Sequence, residues 1–317
     1  MLRSSLDTQT AVLGTIKDHA QPHLRASKVA LSRKGEIVVT DGFLPKSKEI
    51  PTVTSSNNPV PVSGYAESPA SLAGGPARDA KRPTVSPDGR YAHEEVVIGP
   101  DQRVRVTNTT SWPWRVQGHI IITFPNNQVY IGSGTLVNRH HVLTAGHCVY
   151  STADGGWAKS VAFEAARNDG SRPYGIVYAT RLLSVTGWTN DHNEDYDMGM
   201  LVLGSDVGAQ AGWFGVITGP DSLLQNYRVN VSGYPGDKGG AQLWTMADVV
   251  KSVSAERIGY EIDTAGGQSG SGVWSTWAGQ VGEKVAAIHT TGSSSGNGGT
   301  RISRPKFDRI VNWLSSY

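Results

Sequence analysis

Gly266-Gly267-Gln268-Ser269-Gly270-Ser271-Gly272 is a tight glycine-rich turn centred on a serine, and it opens onto a short β-type run, 272–274. Glycines let a backbone turn sharply and let another molecule approach it closely. Similar runs recur along the chain between turn residues, at 119–124, 128–137, 141–145, 161–165, 175–179, 198–203, 228–233, 248–253 and 284–290. Many short strands with Gly-rich turns and almost no helix predict an all-β sandwich or barrel. One helix is expected, at the C-terminus, where Ser303 can cap it. Phe307, Ile310, Val311 and Leu314 then follow the i, i+3, i+4, i+7 spacing of one buried face.

The β-rich text begins abruptly near residue 96. Residues 1–95 hold 9 of the 16 Pro, none of the 9 Trp, and only Phe43, Tyr65 and Tyr91 among the aromatics. Such a segment is poor in the large side chains that offset ordering entropy. Within it, Ile37-Val38-Val39 can form a small sheet or helix, and 51–90 has the Pro/Ser/Gly composition of a linker open to proteolysis. Residues 96–317 carry all the Trp and 31 of the 38 Gly, and are long enough for a substantial core.

A net charge of +2 over 317 residues makes no electrostatic case for a nucleic-acid partner or an acidic membrane surface. No apolar run approaches the roughly 18 residues that span a bilayer. The single cysteine, Cys148, excludes an intramolecular disulfide and reads as a small packed hydrophobe. No signal-peptide pattern follows Met1, so either export is not intended or the true start lies upstream.

Two further texts bear on chemistry. Thr144-Ala145-Gly146-His147-Cys148 follows a β run, and Asp197-Met198-Gly199-Met200-Leu201-Val202-Leu203 opens another. A serine nucleophile needs a base to take its proton, a carboxylate to hold that base, and backbone N–H groups facing the developing oxyanion. Alone, a histidine at a strand end, a turn aspartate and a Gly-Ser-Gly loop are each commonplace. Together, in the order His, Asp, Ser on an all-β background, they point to nucleophilic catalysis. Asp191 and Asp195 rival Asp197, which alone leads directly into the apolar run. Ser271 rivals Ser269, which follows the pair Gly267-Gln268.

These texts, with Val96-Val97-Ile98-Gly99, Gly233-Tyr234-Pro235-Gly236-Asp237-Lys238 and Ile288-His289-Thr290, resemble the chymotrypsin-like serine proteases, and specifically their glutamyl endopeptidase branch, over about 96–315. The resemblance implies two antiparallel β-barrels with the active site between them and a C-terminal helix. It implies residues 1–95 as a propeptide and 96–317 as the catalytic domain, made as a secreted zymogen. Ser269 takes the place of the nucleophile, His147 of the base and Asp197 of its orienting carboxylate. The N–H groups of Gly267 and Ser269 take that of the oxyanion hole. Gln268 departs from the digestive-type enzymes, whose aspartate there pairs with the new N-terminal amine, so activation must differ.

Specificity for Glu requires donors that replace the hydration of a carboxylate. His289, Thr264 and the amine of Val96 stand where the glutamyl branch places them, and the junction Glu94-Glu95-Val96 suits self-release by a cut after Glu95. Asp263, six residues before Ser269, is the contrary sign, because trypsin-type enzymes carry their pocket aspartate there and cut after Lys or Arg. A non-catalytic homologue acting as a binding module is the alternative from another class. Neither His140-His141 nor the cluster 191–195 has zinc-ligand spacing, so no metal and no cofactor is expected. The segment 292–300, nearly all Gly and Ser around Asn297, reads as a flexible hairpin beside the cleft. The expected partners are protein or peptide substrates met by a monomer.

Overall fold

The β-type runs fold as antiparallel strands that close on themselves twice. The computed structural model describes residues 37–43, 78–79, 95–293 and 296–317. Ahead of the first barrel come β1 (Val38–Val39), β2 (Arg78–Asp79) and β3 (Val104–Arg105). The barrel follows with β4 (Gln117–Thr123), β5 (Val129–Leu136), β6 (His141–Thr144), a side hairpin of β7 (Tyr150–Ser151) and β8 (Gly156–Trp157), then β9 (Ser160–Ala165), β10 (Val177–Ser184) and β11 (Gly199–Leu203). Its order is β5-β4-β9-β10-β11-β6, and the pairing of β5 with β6 closes the ring. Ile120, Ile122, Leu143, Phe163, Leu183 and Leu201 fill it, each inaccessible to solvent. Gly118 is glycine for a packing reason: a Cβ there would lie 2.0 Å from the Phe163 ring.

After β12 (Gly215–Thr218), the second barrel is built from β13 (Arg228–Gly233), β14 (Trp244–Val253), β15 (Arg257–Tyr260), β16 (Gly272–Thr276), β17 (Glu283–Ser293) and β18 (Gly296–Arg301). Its order is β13-β14-β15-β18-β17-β16, closed by β13 against β16. Val229, Val231, Val250, Ile262, Val273 and Ala287 form its centre. The strand β12 lies outside that ring, parallel to β17 on one edge and antiparallel to β1 on the other. Most of residues 1–94 lies outside the described residues, including the Pro-rich stretch 51–90 apart from 78–79.

Three readings change. The run expected to end at 179 continues to Ser184 as β10. Residues 292–293 end β17 and 296–300 lie in β18, a strand paired with β15 and, across an irregularity between His289 and Thr291, with β17. Its glycines mark crowding, since a Cβ on Gly299 would sit 2.4 Å from the Ile288 carbonyl oxygen and one on Gly298 2.8 Å from that of Ile258. The terminal helix spans Arg304–Ser316 with Ser303 at its N-cap, but the Ser303 hydroxyl makes no capping bond. It donates to Glu256 instead, at 3.1 Å. The buried face of the helix is Lys306, Phe307, Ile310 and Trp313, with Val311 and Leu314 at its margin.

Candidate active site

The first barrel carries a histidine and an aspartate to the cleft. β6 ends at Thr144, and the chain turns at once through a 3-10 turn, Gly146–Cys148. β11 starts at Gly199, opposite Thr144. A Cβ on Gly199 would meet the Ala145 carbonyl oxygen at 2.7 Å, so only glycine lets the two strand ends approach so closely. This closeness places Asp197, fully buried, against His147. Asp197 Oδ2 lies 2.8 Å from His147 Nδ1, and Oδ1 accepts the His147 backbone N–H at 2.9 Å. Two bonds to one residue fix the ring and leave Nε2 turned away from the carboxylate. Burial alone would lower the imidazole pKa, but the Asp197 charge outweighs it and holds the group above its ordinary range. Of the three rival carboxylates it is Asp197 that meets His147, while Asp191 stays exposed and the Asp195 N–H is held by Asn193 in a surface turn.

The second barrel carries the serine turn, between β15 and β16. Ser269 is 4 % exposed. Its carbonyl accepts the Ser133 N–H at 2.9 Å, which ties the turn to β5 of the first barrel. The rival Ser271 points inward; its hydroxyl is buried without a hydrogen-bond partner, and a Cβ on Gly233 would lie 2.2 Å from it. The Gly266 carbonyl accepts the Gly236 N–H at 2.7 Å. In a trans peptide the following N–H points the other way, so Gly267 N–H is presented to the opposite side. Gly267 itself holds φ +96°, open to glycine without strain. Its carbonyl accepts the Ser133 hydroxyl at 2.8 Å, and that hydroxyl also accepts the Tyr234 N–H at 2.9 Å. Neither Gly267 N–H nor Ser269 N–H donates to another described residue.

Gln268, the residue that cannot form the digestive-type ion pair, has a partner of its own. Its Oε1 accepts from Arg103 at 3.2 Å and from the Ala265 N–H at 3.1 Å. The Arg103 side chain is wholly buried and is paired with Asp101 and Asp237. A cation from within the chain thus braces the turn.

A carboxylate occupies the centre of the cleft. The Ser269 hydroxyl donates to Glu95 Oε1, and His147 Nε2 has no hydrogen-bond partner. The serine and the imidazole are therefore not bonded to each other, because the hydroxyl proton is given to a carboxylate. Glu95, its side chain 5 % exposed, also brings Oε1 within 3.4 Å of His289 Nε2. Tyr260 bonds His289 Nδ1 at 2.7 Å and so aims the ring at the cleft. The Thr264 hydroxyl is buried with no hydrogen-bond partner.

Next along the chain, Val96 is clasped. Its N–H donates to Asn297 Oδ1 at 3.1 Å, and its carbonyl accepts from Asn297 Nδ2 at 2.6 Å and from Thr264 N–H at 3.1 Å. Asp263 is spent on the same segment, since Oδ1 accepts Ile98 N–H at 2.7 Å and Oδ2 accepts Gln102 N–H at 2.8 Å. Both its oxygens face the chain that follows Val96, so the contrary sign for a Lys/Arg pocket loses its force. Arg103, Ser133, Tyr260 and Asn297 escaped the sequence reading; Asn297 left one trace, as the odd polar residue in a Gly/Ser run.

A model of the trypsin-like peptidase domain matches residues 132–281. The chain is 37% identical over 226 residues to a glutamyl endopeptidase of Bacillus licheniformis, covering 69% of each chain. It is 38% identical over 220 residues to a Bacillus subtilis protein named extracellular metalloprotease, covering 69% of this chain and 70% of that one. Among the described residues here, no group of three or more His, Cys, Asp or Glu side chains is placed to hold a metal ion. Among solved structures, a Glu endopeptidase in complex with MPD matches with a TM-score of 0.61 and 28% identity, over 70% of this chain and 100% of that one.

Proposed function

Since the chain belongs to the glutamyl endopeptidase branch of the chymotrypsin-like serine peptidases and is a serine endopeptidase, we propose that it cuts on the carbonyl side of glutamate and is made as a zymogen. Ser269 Oγ attacks the substrate carbonyl carbon as its proton passes to His147 Nε2, and Asp197 stabilises the resulting imidazolium. The oxyanion is met by the N–H groups of Gly267 and Ser269. His147 then returns the proton to the departing amine, the C–N bond breaks, and an acyl-enzyme remains. Water attacks that ester as His147 takes its proton; His147 then returns the proton to Ser269 Oγ as the ester C–O bond breaks, and the acid is released.

The observation that carries the specificity is Glu95. A glutamate side chain is accommodated in the cleft against Ser269 and His289. Donors must replace the water of a buried carboxylate; Ser269 does so for Oε1, while Oε2 has no hydrogen-bond partner. Glu95 is also the residue before the proposed processing point, so the precursor carries its own occupant of the pocket. Cleavage of Glu95–Val96 converts the Val96 amide held by Asn297 into a cationic amine beside the same pocket. The enzyme is exported and acts on protein or peptide substrates as a monomer. Two peptides differing only in Glu or Lys at one position test the specificity: cutting is expected after Glu, and cuts confined to Lys or Arg sink the proposal. Failure of a fluorophosphonate to label Ser269 in the processed protein favours a binding module instead.

A further inference from the structure

Residues 37–43 are remote in sequence from both barrels, yet they line the outer edge of β12, beside the second. Val38 and Val39 pair with Thr218 and Ile217. Thr40 N–H donates to the Val216 carbonyl at 2.9 Å, and Val216 N–H returns a bond to Thr40 Oγ1 at 2.9 Å. Phe43 and Trp213 exchange both backbone bonds, each 2.9 Å, and their rings stack with centroids 4.5 Å apart. Trp213 Nε1 donates to the Asp41 carbonyl, and Lys284 Nζ, from the second barrel, to that of Thr40. The other edge of β12 is already taken by β17.

We propose that the edge of β12 facing away from β17 is a docking site for an extended strand of the prosegment. By this contact, residues 37–43 hold the severed prosegment on the catalytic part after the bond following Glu95 is cut. The inference rests on the maturation reading above. Cutting at Glu95 breaks one covalent tie and none of the bonds to β12. Loss of residues 37–43 would expose the N–H and C=O groups of Trp213 and Val216 as a bare strand edge, a template that proteins keep covered. Strand addition of this kind draws its affinity from main-chain bonds. The remaining described contacts of residues 37–95 are slighter, a two-residue parallel pairing of β2 with β5 and the Glu95 side chain in the cleft.

Gly215 makes the site selective. A Cβ there would lie 2.1 Å from the Thr40 carbonyl oxygen and 3.2 Å from the Gly42 nitrogen, both on the docked strand. On the catalytic side the nearest atom it would meet is Lys284 Nζ, at 3.0 Å, which itself donates to the Thr40 and Val281 carbonyls. Its φ is not left-handed, so the backbone accepts alanine, and the severest clash falls on the docked strand.

The test uses the full chain with Ser269→Ala, cut by a trace of wild-type enzyme and analysed by gel filtration and mass spectrometry. The 1–95 and 96–317 fragments are expected to elute together. Adding Gly215→Ala should weaken their association by about tenfold or more, the equivalent of one to two ladder hydrogen bonds. Thr40→Pro, which removes the N–H given to Val216 and leaves residues 96–317 untouched, should do the same and guards against misfolding of the glycine variant. Immediate separation of the parent fragments, or retention undiminished in both variants, overturns the docking site. A chain left uncut after Glu95 strikes the maturation reading instead, and the docking inference falls with it.

Discussion

Replacing Ser133 with alanine removes one oxygen atom and isolates the bracing of the serine turn. The Ser133 hydroxyl donates to the Gly267 carbonyl at 2.8 Å and accepts the Tyr234 N–H at 2.9 Å. Ser133 and Tyr234 are 1 % and 0 % exposed, so water cannot replace the lost oxygen without entering the core. Leaving a buried polar group unpaired costs about 1–3 kcal/mol, and two are orphaned here, so a loss of roughly 2–4 kcal/mol is expected after partial relaxation. Part of that cost falls on the turn that presents the Gly267 N–H. The Gly236 bond to the Gly266 carbonyl survives, so the turn loosens without collapsing. If about 1.4–2.7 kcal/mol is felt only in the transition state, kcat drops about 10–100-fold while KM stays within about twofold. Urea unfolding gives the stability change, and steady-state cleavage of a glutamyl peptide by the processed enzyme gives the kinetics. A kcat within about twofold of wild type, at measurably reduced stability, would refute the coupling of this hydroxyl to the oxyanion turn.

Other perturbations separate the remaining roles. Asp197→Asn should lower kcat about 10³–10⁴-fold. It should also shift the acid limb of the kcat/KM profile to lower pH, because the Asp197 charge that offsets the burial of His147 is then gone; an unmoved limb denies that Asp197 raises that pKa. Asp263→Asn should cost about 1–3 kcal/mol of stability through the Ile98 and Gln102 bonds and leave the Glu-over-Lys preference unchanged, whereas a tenfold gain for Glu would place its charge in the pocket. Glu164 is fully buried among His119, Arg167 and Arg172; burial would raise its pKa, but these partners prevail and bring it to about 2 from 4.5. Its stabilisation is therefore complete above the unfolded value of 4.5 and is lost as pH falls toward 2. Glu164→Gln should cost on the order of 3 kcal/mol at pH 7 and visibly less at pH 3, and an equal penalty at both, measured by denaturant unfolding, would deny it.

The chain announced its fold class through local pattern. Short β runs between glycine turns, and a single amphipathic text from Phe307 to Leu314, are properties of neighbouring residues and survive being read in one dimension. His147 and Asp197 stood out for a related reason, since each adjoins a β-type run; that the two strands are neighbours came from the barrel. Strands β12, β15 and β18 were not legible. Glycines at 298 and 299 look like flexible text until Ile258 and Ile288 are brought against them.

Contacts across sequence distance belonged to the tertiary structure alone. Asp263 carries the same letters whether it faces a pocket or caps the backbone at Ile98 and Gln102. Arg103 reaches Gln268, Ser133 reaches Gly267, and Glu95 reaches Ser269 only after both barrels have closed. The residue order therefore limited which side chains are candidates for the chemistry, because that depends on residue type and local turn geometry. Only the three-dimensional structure decided which hydrogen bonds those groups make, because a buried polar atom must find its partner among whatever packing brings within about 3 Å.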